Sequence, residues 1–105
     1  MKGTKMSLET TTKSVRELFA KAAVFSDTLT FDFGDDGKIS VDGTKSPPEV
    51  TNDDIGSDCT ISVSLENFNE MLDGNLDPQM AFMSGKLSID GNMGIAMNLT
   101  SVFRN

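Results

Sequence analysis

The chain has 105 residues, 37% of them hydrophobic and 24% charged, and its 16 acidic residues outnumber its 9 basic ones to give a net charge of −7. That length suits one domain with one core, and the acidity argues against a phosphate backbone as partner and against lasting attachment to anionic lipid. With no histidine and a single cysteine, histidine-based catalysis, the common zinc sites and an internal disulfide are excluded.

Residues 1–6 read as a loose leader without an apolar signal core, and no run approaches the ~20 apolar residues of a spanning helix. From Ser7 to about Val24, Leu8, Val15, Leu18, Phe19, Ala22 and Ala23 fit one face of an amphipathic helix. Thr10, Thr11 and Thr12 are weak helix formers, so the firm part is expected to begin near Lys13. The period then changes to two. Leu29, Phe31 and Phe33 alternate with Thr28, Thr30 and Asp32, Gly34-Asp35-Asp36-Gly37 turns the chain, and Ile39 and Val41 continue in a second strand. Asp42 to Pro48 reads as a loop. Val50 fits a short strand that Pro47 and Pro48 confine to a sheet edge. Cys59, Ile61 and Val63 give another half-buried strand, with the thiol pointing into the core, where thiols are usually inert.

Ser64 is placed to cap a helix carrying Leu65, Phe68, Met71 and Leu72 on one stripe, with Gly74 at its end. Asp77 and Pro78 suit the cap and first position of a shorter helix that Gly85 terminates. Leu87 and Ile89 then alternate with Lys86, Ser88 and Asp90 in a strand. After the Gly91-Asn92 turn, a last helix over about 93–103 groups Ile95, Ala96, Leu99, Val102 and Phe103, with Met93 and Met97 along one edge. Strands apolar on one face predict a single, mostly antiparallel sheet with helices over that face.

Motifs for chemistry fail on inspection. In Asp32–Gly37, Gly34 and later Gly43 stand where calcium ligands are required, so a solvated turn is the better reading. Asp53, Asp54 and Asp58 read as an acidic surface loop. Gly85-Lys86 lacks the rest of a phosphate loop, and Asn98-Leu99-Thr100 is a sequon within a predicted helix. No nucleophile–base pair or metal cluster is visible, so an enzyme ranks last among the readings. The single cysteine suits a reducing compartment, and the ending Val102-Phe103-Arg104-Asn105 is no peroxisomal address, so a cytoplasmic location is expected. Met71, Met80, Met83, Met93 and Met97 crowd the C-terminal helices. Such flexible thioethers either fill a core or form a surface adaptable to several apolar shapes, and spacing alone favours the former.

The stretch Pro78-Gln79 through Leu99, with Ala81-Phe82, Ser84-Gly85-Lys86-Leu87, Gly91-Asn92-Met93-Gly94 and Ala96-Met97, resembles the sterol carrier protein 2 family, the non-specific lipid-transfer proteins. Asp58-Cys59-Thr60-Ile61 and Phe68 with Met71-Leu72-Asp73-Gly74 extend the likeness, which covers roughly Phe25 to Phe103. The resemblance implies an α/β (α+β) fold: a five-stranded, mainly antiparallel sheet with one face covered by about five helices, enclosing an apolar tunnel. It also implies binding of fatty acids, fatty acyl-CoAs, sterols or phospholipids without covalent chemistry and without a cofactor. By position, Gln79, Met80, Met83, Met93, Met97 and Phe103 correspond to tunnel residues, with Phe33, Phe68 and Leu72 as further candidates. Gln79 would meet a head group or a water, or cap a neighbouring turn. Asn98, where a lysine is common, and the acidic surface weigh against efficient transfer between membranes more than against binding. The expected partner is therefore a small apolar ligand, with at most transient membrane contact, held by a monomer or homodimer. The alternative is a protein-interaction module that closes the same apolar groove with a partner or second copy.

Overall fold

The computed structural model describes residues 8–21, 27–45 and 48–103, with residues 21 and 99–103 described by backbone alone. The expected leader at 1–6, the helix ends at Ser7 and Ala22 to Val24, and Ser46 and Pro47 of the loop lie outside the described residues. So do the side chains of Leu99, Val102 and Phe103.

Helix α1 spans Leu8–Lys21 and buries Val15 and Phe19 together with Thr11 and Thr12. The expectation that the threonines loosen its first turns is overturned. Thr12 Oγ1 donates to the Leu8 carbonyl at 2.7 Å, and Asn69 Nδ2 donates to Thr11 Oγ1 at 3.0 Å. Buried hydroxyls with partners cost little, so both pack as small side chains.

Strands β1 (Thr28–Asp32) and β2 (Lys38–Asp42) pair antiparallel around one 3-10 turn at Gly34–Asp36. Gly34, at φ 68°, enters that turn while its N–H donates to Asp32 Oδ1 at 2.9 Å. Strand β3 (Glu49–Thr51) lies at the sheet edge against β2, as the prolines require. Strand β4 (Cys59–Val63) lies parallel to β1, and β5 (Leu87–Gly91) antiparallel to β4. The order β3-β2-β1-β4-β5 gives a five-stranded, mainly antiparallel sheet with one parallel seam. Four α-helices and the 3-10 turn accompany it among the described residues, against the five or so expected helices.

Register aligns Ile39, Phe31, Ile61 and Ile89 in one row across β2, β1, β4 and β5. Helix α2 (Leu65–Leu72), capped where Ser64 Oγ accepts from the Asn67 N–H at 3.0 Å, drives Phe68 onto this row. The Phe68 ring centroid lies 4.6 Å from that of Phe31 and 5.1 Å from that of Phe33, both pairs tilted. Tilted pairs at such separations stabilise beyond their area burial.

The opposite face is not wholly solvated. Thr30 and Ser40 are buried there, bonded to each other at 3.0 Å, and Ser40 donates to the Asp53 carbonyl while Thr30 meets Ser57. The acidic loop between β3 and β4 thus packs part of its backbone against that face.

Candidate functional site

Two short helices position the site. Helix α3 (Pro78–Met83) begins where Asp77 Oδ1 accepts from the Gln79 N–H at 3.4 Å, and ends at Ser84 and Gly85, whose φ is 81°. The Lys86 N–H returns to the Ala81 carbonyl at 2.9 Å, turning the chain directly into β5. Helix α4 (Met93–Phe103) begins as Asn92 Oδ1 accepts from the Gly94 N–H at 2.8 Å. Gly91 permits this tight exit from β5, because a Cβ there would stand 2.4 Å from the Asp58 carbonyl oxygen. Its φ of 109° disfavours any other residue.

Between these helices and the sheet lies a cavity of about 220 Å³. Ile61 of β4 with Leu87 and Ile89 of β5 form its floor, and Met71 of α2 closes one side. Pro78, Gln79, Phe82 and Met83 line it from α3, and Met93, Ala96 and Met97 from α4. Wall and rim differ sharply: Met71 is 3% exposed, whereas Met93, Met97 and Met83 are 48%, 64% and 78% exposed. Gln79 alone among these residues has a polar side chain, so the interior offers one amide and no charge. Such a lining can bury apolar matter and orient one polar group, but it supplies no nucleophile or base.

A larger depression, about 520 Å³, borders α1 with Thr12, Lys13, Arg16 and Asn52. It is an open surface trough in which three of the polar groups are already engaged: Arg16 donates to the Val50 carbonyl at 3.1 Å, and Asn52 Nδ2 to Thr12 Oγ1 at 3.0 Å. The apolar cavity is the better candidate.

Of the residues singled out from the sequence, Gln79, Met83, Met93 and Met97 line the cavity. Met80 does not; it is 60% exposed on another face of α3. Phe33 and Phe68 belong to the closed core, and Leu72 packs against that core half-buried. The Phe103 side chain lies outside the described residues. Ile61, Met71, Pro78, Phe82, Leu87, Ile89 and Ala96 complete the lining and were not singled out. The missed signal is helical spacing: Gln79, Phe82 and Met83 stand at i, i+3 and i+4, as do Met93, Ala96 and Met97. That spacing brings in Phe82 and Ala96 and leaves Met80 out.

Cys59 is fully buried in β4, and burial first, then the nearby Asp90 charge, pushes its thiol above the ordinary value. It is a packing residue. Among the described residues, no three metal-binding side chains of the His, Cys, Asp or Glu type stand together, and no helix is long and apolar enough to cross a membrane.

The chain was compared with known proteins. It is 45% identical over 53 residues to sterol carrier protein 2 of Homo sapiens, covering 50% of this chain and 10% of that protein. It is 49% identical over 45 residues to hydroxysteroid dehydrogenase-like protein 2 of Danio rerio, covering 43% of this chain and 11% of that protein. The chain therefore spans about a tenth of the length of these relatives. The crystal structure of sterol carrier protein 2 like 2 from Aedes aegypti superposes with a TM-score of 0.68 at 21% identity, covering 95% of this chain and 99% of the other, a likeness of fold. The sequence profile of the SCP-2 sterol transfer family matches residues 8–104. With that match spanning nearly the whole chain, the protein belongs to the SCP-2 sterol transfer family.

Proposed function

We propose that the chain binds one long apolar molecule (a fatty acid, fatty acyl-CoA, sterol or phospholipid) in the cavity beneath α3 and α4, without covalent chemistry. Family membership carries lipid binding or transfer as the general activity. The observation that supports the finer reading is an apolar space of about 220 Å³ with a single amide, left beside an otherwise closed core.

The energetics favour occupation. Sealed and empty, such a space costs about 5 kcal/mol at ~24 cal/mol per Å³, against a total stability of about 5–15 kcal/mol for a domain. Open to water, it exposes apolar floor that a ligand chain would cover, at ~0.8 kcal/mol for each buried methylene. A cavity of ~150 Å³ holds benzene, and sites for larger ligands run to ~300–1,000 Å³. The observed space therefore takes part of a long chain, and the exposed Met83 and Met97 side chains swing outward to admit the rest into a tunnel. Gln79 meets the ligand's polar group or a water beside it.

Native mass spectrometry of the protein purified from a lipid-containing host tests this reading. The expected result is a lipid adduct released on denaturation and recovered in apolar solvent. A clean apo-mass that persists after incubation with fatty acid and acyl-CoA would refute it, and a lipid-free dimer would favour the interaction module.

A further inference from the structure

Among the described residues, methionine sulfur is the accessible oxidisable element, and three of the four exposed methionines stand at one place while Met80 lies elsewhere on α3. Met83, Met93 and Met97 rim the cavity at 78%, 48% and 64% exposure, while Met71 in its wall is 3% exposed. The one cysteine is fully buried in β4 and does not compete for oxidant. From this arrangement we infer that the rim methionines form an oxidation site, at which conversion to methionine sulfoxide by a peroxide releases the bound lipid. The inference rests on the proposed lipid reading for its consequence, though not for the site of modification.

The chemistry needs only a peroxide as co-reactant. The thioether lone pair attacks one peroxide oxygen, an S–O bond forms and the O–O bond breaks. The departing oxygen takes the proton from the transferred one and leaves as water. Sulfur loses two electrons, and the peroxide gains them. The product is a strongly polar group on a side chain whose function was to be apolar and flexible. Within the cavity only Gln79 offers a side-chain donor, so a sulfoxide facing the ligand goes without a partner or turns out to water and withdraws its share of the wall. Burying an unpaired polar group of this kind lowers affinity by about tenfold or more. Methionine sulfoxide reductases reverse the reaction, so the site is a switch rather than a lesion.

The full chain is treated with graded hydrogen peroxide, the oxidised residues are mapped by peptide mass spectrometry, and binding of a fluorescent fatty acid is titrated at each stage. Met83 and Met97 are expected to gain oxygen well before Met71, with affinity falling about tenfold in step and returning after sulfoxide reductase treatment. The triple variant Met83→Leu/Met93→Leu/Met97→Leu, whatever its own affinity, should show the same affinity before and after peroxide. Met80→Leu should leave the sensitivity intact. Oxidation of Met71 as early as Met83, or a triple variant still sensitive to peroxide, would overturn the assignment of the site. Unchanged affinity of the sulfoxide form would overturn the switch alone, whereas a reduced protein that takes up no fatty acid would overturn the lipid reading and the switch with it.

Discussion

Replacing Ala96 by Leu separates a ligand site from a mere packing shortfall. Ala96 is buried yet faces the cavity, so the substitution directs three more carbons into about 220 Å³ of apolar space. At ~0.8 kcal/mol for each buried carbon the gross gain is about 2.4 kcal/mol. The cavity's open side and about 0.5–1 kcal/mol of lost leucine rotamer freedom reduce this to roughly 1 kcal/mol. For a domain of this size that raises Tm by about 4–8 °C. The same carbons deny the ligand equal burial, so fatty-acid affinity falls by about 50-fold, 2.4 kcal/mol at 1.4 kcal/mol per decade. Circular-dichroism melts and titration with a fluorescent fatty acid read the two effects, which have opposite signs. A lower Tm would mean overpacking and hence no usable space. Unchanged affinity would place the ligand elsewhere, and either result refutes the reasoning.

Three further outcomes are expected. Met83→Phe, stiffening the rim, weakens fatty-acid binding by about tenfold, while Met80→Phe on the other face of α3 changes it less than about twofold; equal effects in the same titration would detach the site from α3. Phe68→Ala removes the ring packed on Phe31 and Phe33 and costs about 3–5 kcal/mol, read as a lowered urea midpoint; a loss below about 1 kcal/mol would contradict its place in the core. Because Cys59 is held protonated in the folded chain while the unfolded thiol ionises near pH ~8.5, its contribution to stability is full below that pH. It is lost as pH climbs through the folded value. Urea midpoints taken from pH 7 to pH 10 should therefore decline more steeply in the parent than in Cys59→Ala, and parallel declines would remove the burial argument.

Much of the fold was legible because several signals are local. Ser64, Asp77, Pro78 and Gly85 each act within one helical turn, and the prolines before Val50 mark an edge without reference to the rest of the sheet. What was hidden depends on distant chain. Thr11 joins the core because Asn69 answers its hydroxyl, and Thr30 and Ser40 are covered because the β3–β4 loop folds back over them. The site was partly legible for a similar reason. Alternation identified Ile61, Leu87 and Ile89 as inward, but periodicity reports which face is turned in, not whether that face is packed or empty. Resemblance placed methionines at the tunnel, and helical spacing decides among them: Met80 and Met83 differ by less than one turn, yet only Met83 lines the cavity.

The row from Ile39 to Ile89 crosses the parallel seam between β1 and β4, and its character changes there. On the β1–β2 side it is sealed under Phe68, and on the β5 side it becomes cavity floor. Of the eleven largest fully buried side chains among the described residues, only Ile61 also lines the cavity. The exposed lining that Met83, Met93 and Met97 contribute is therefore separable from the packing that holds the sheet together, whereas Ile61, Met71, Leu87 and Ala96 serve both. Substitutions at that rim can change the width of the cavity with little effect on stability, whereas a change at Ile61 would be felt in both.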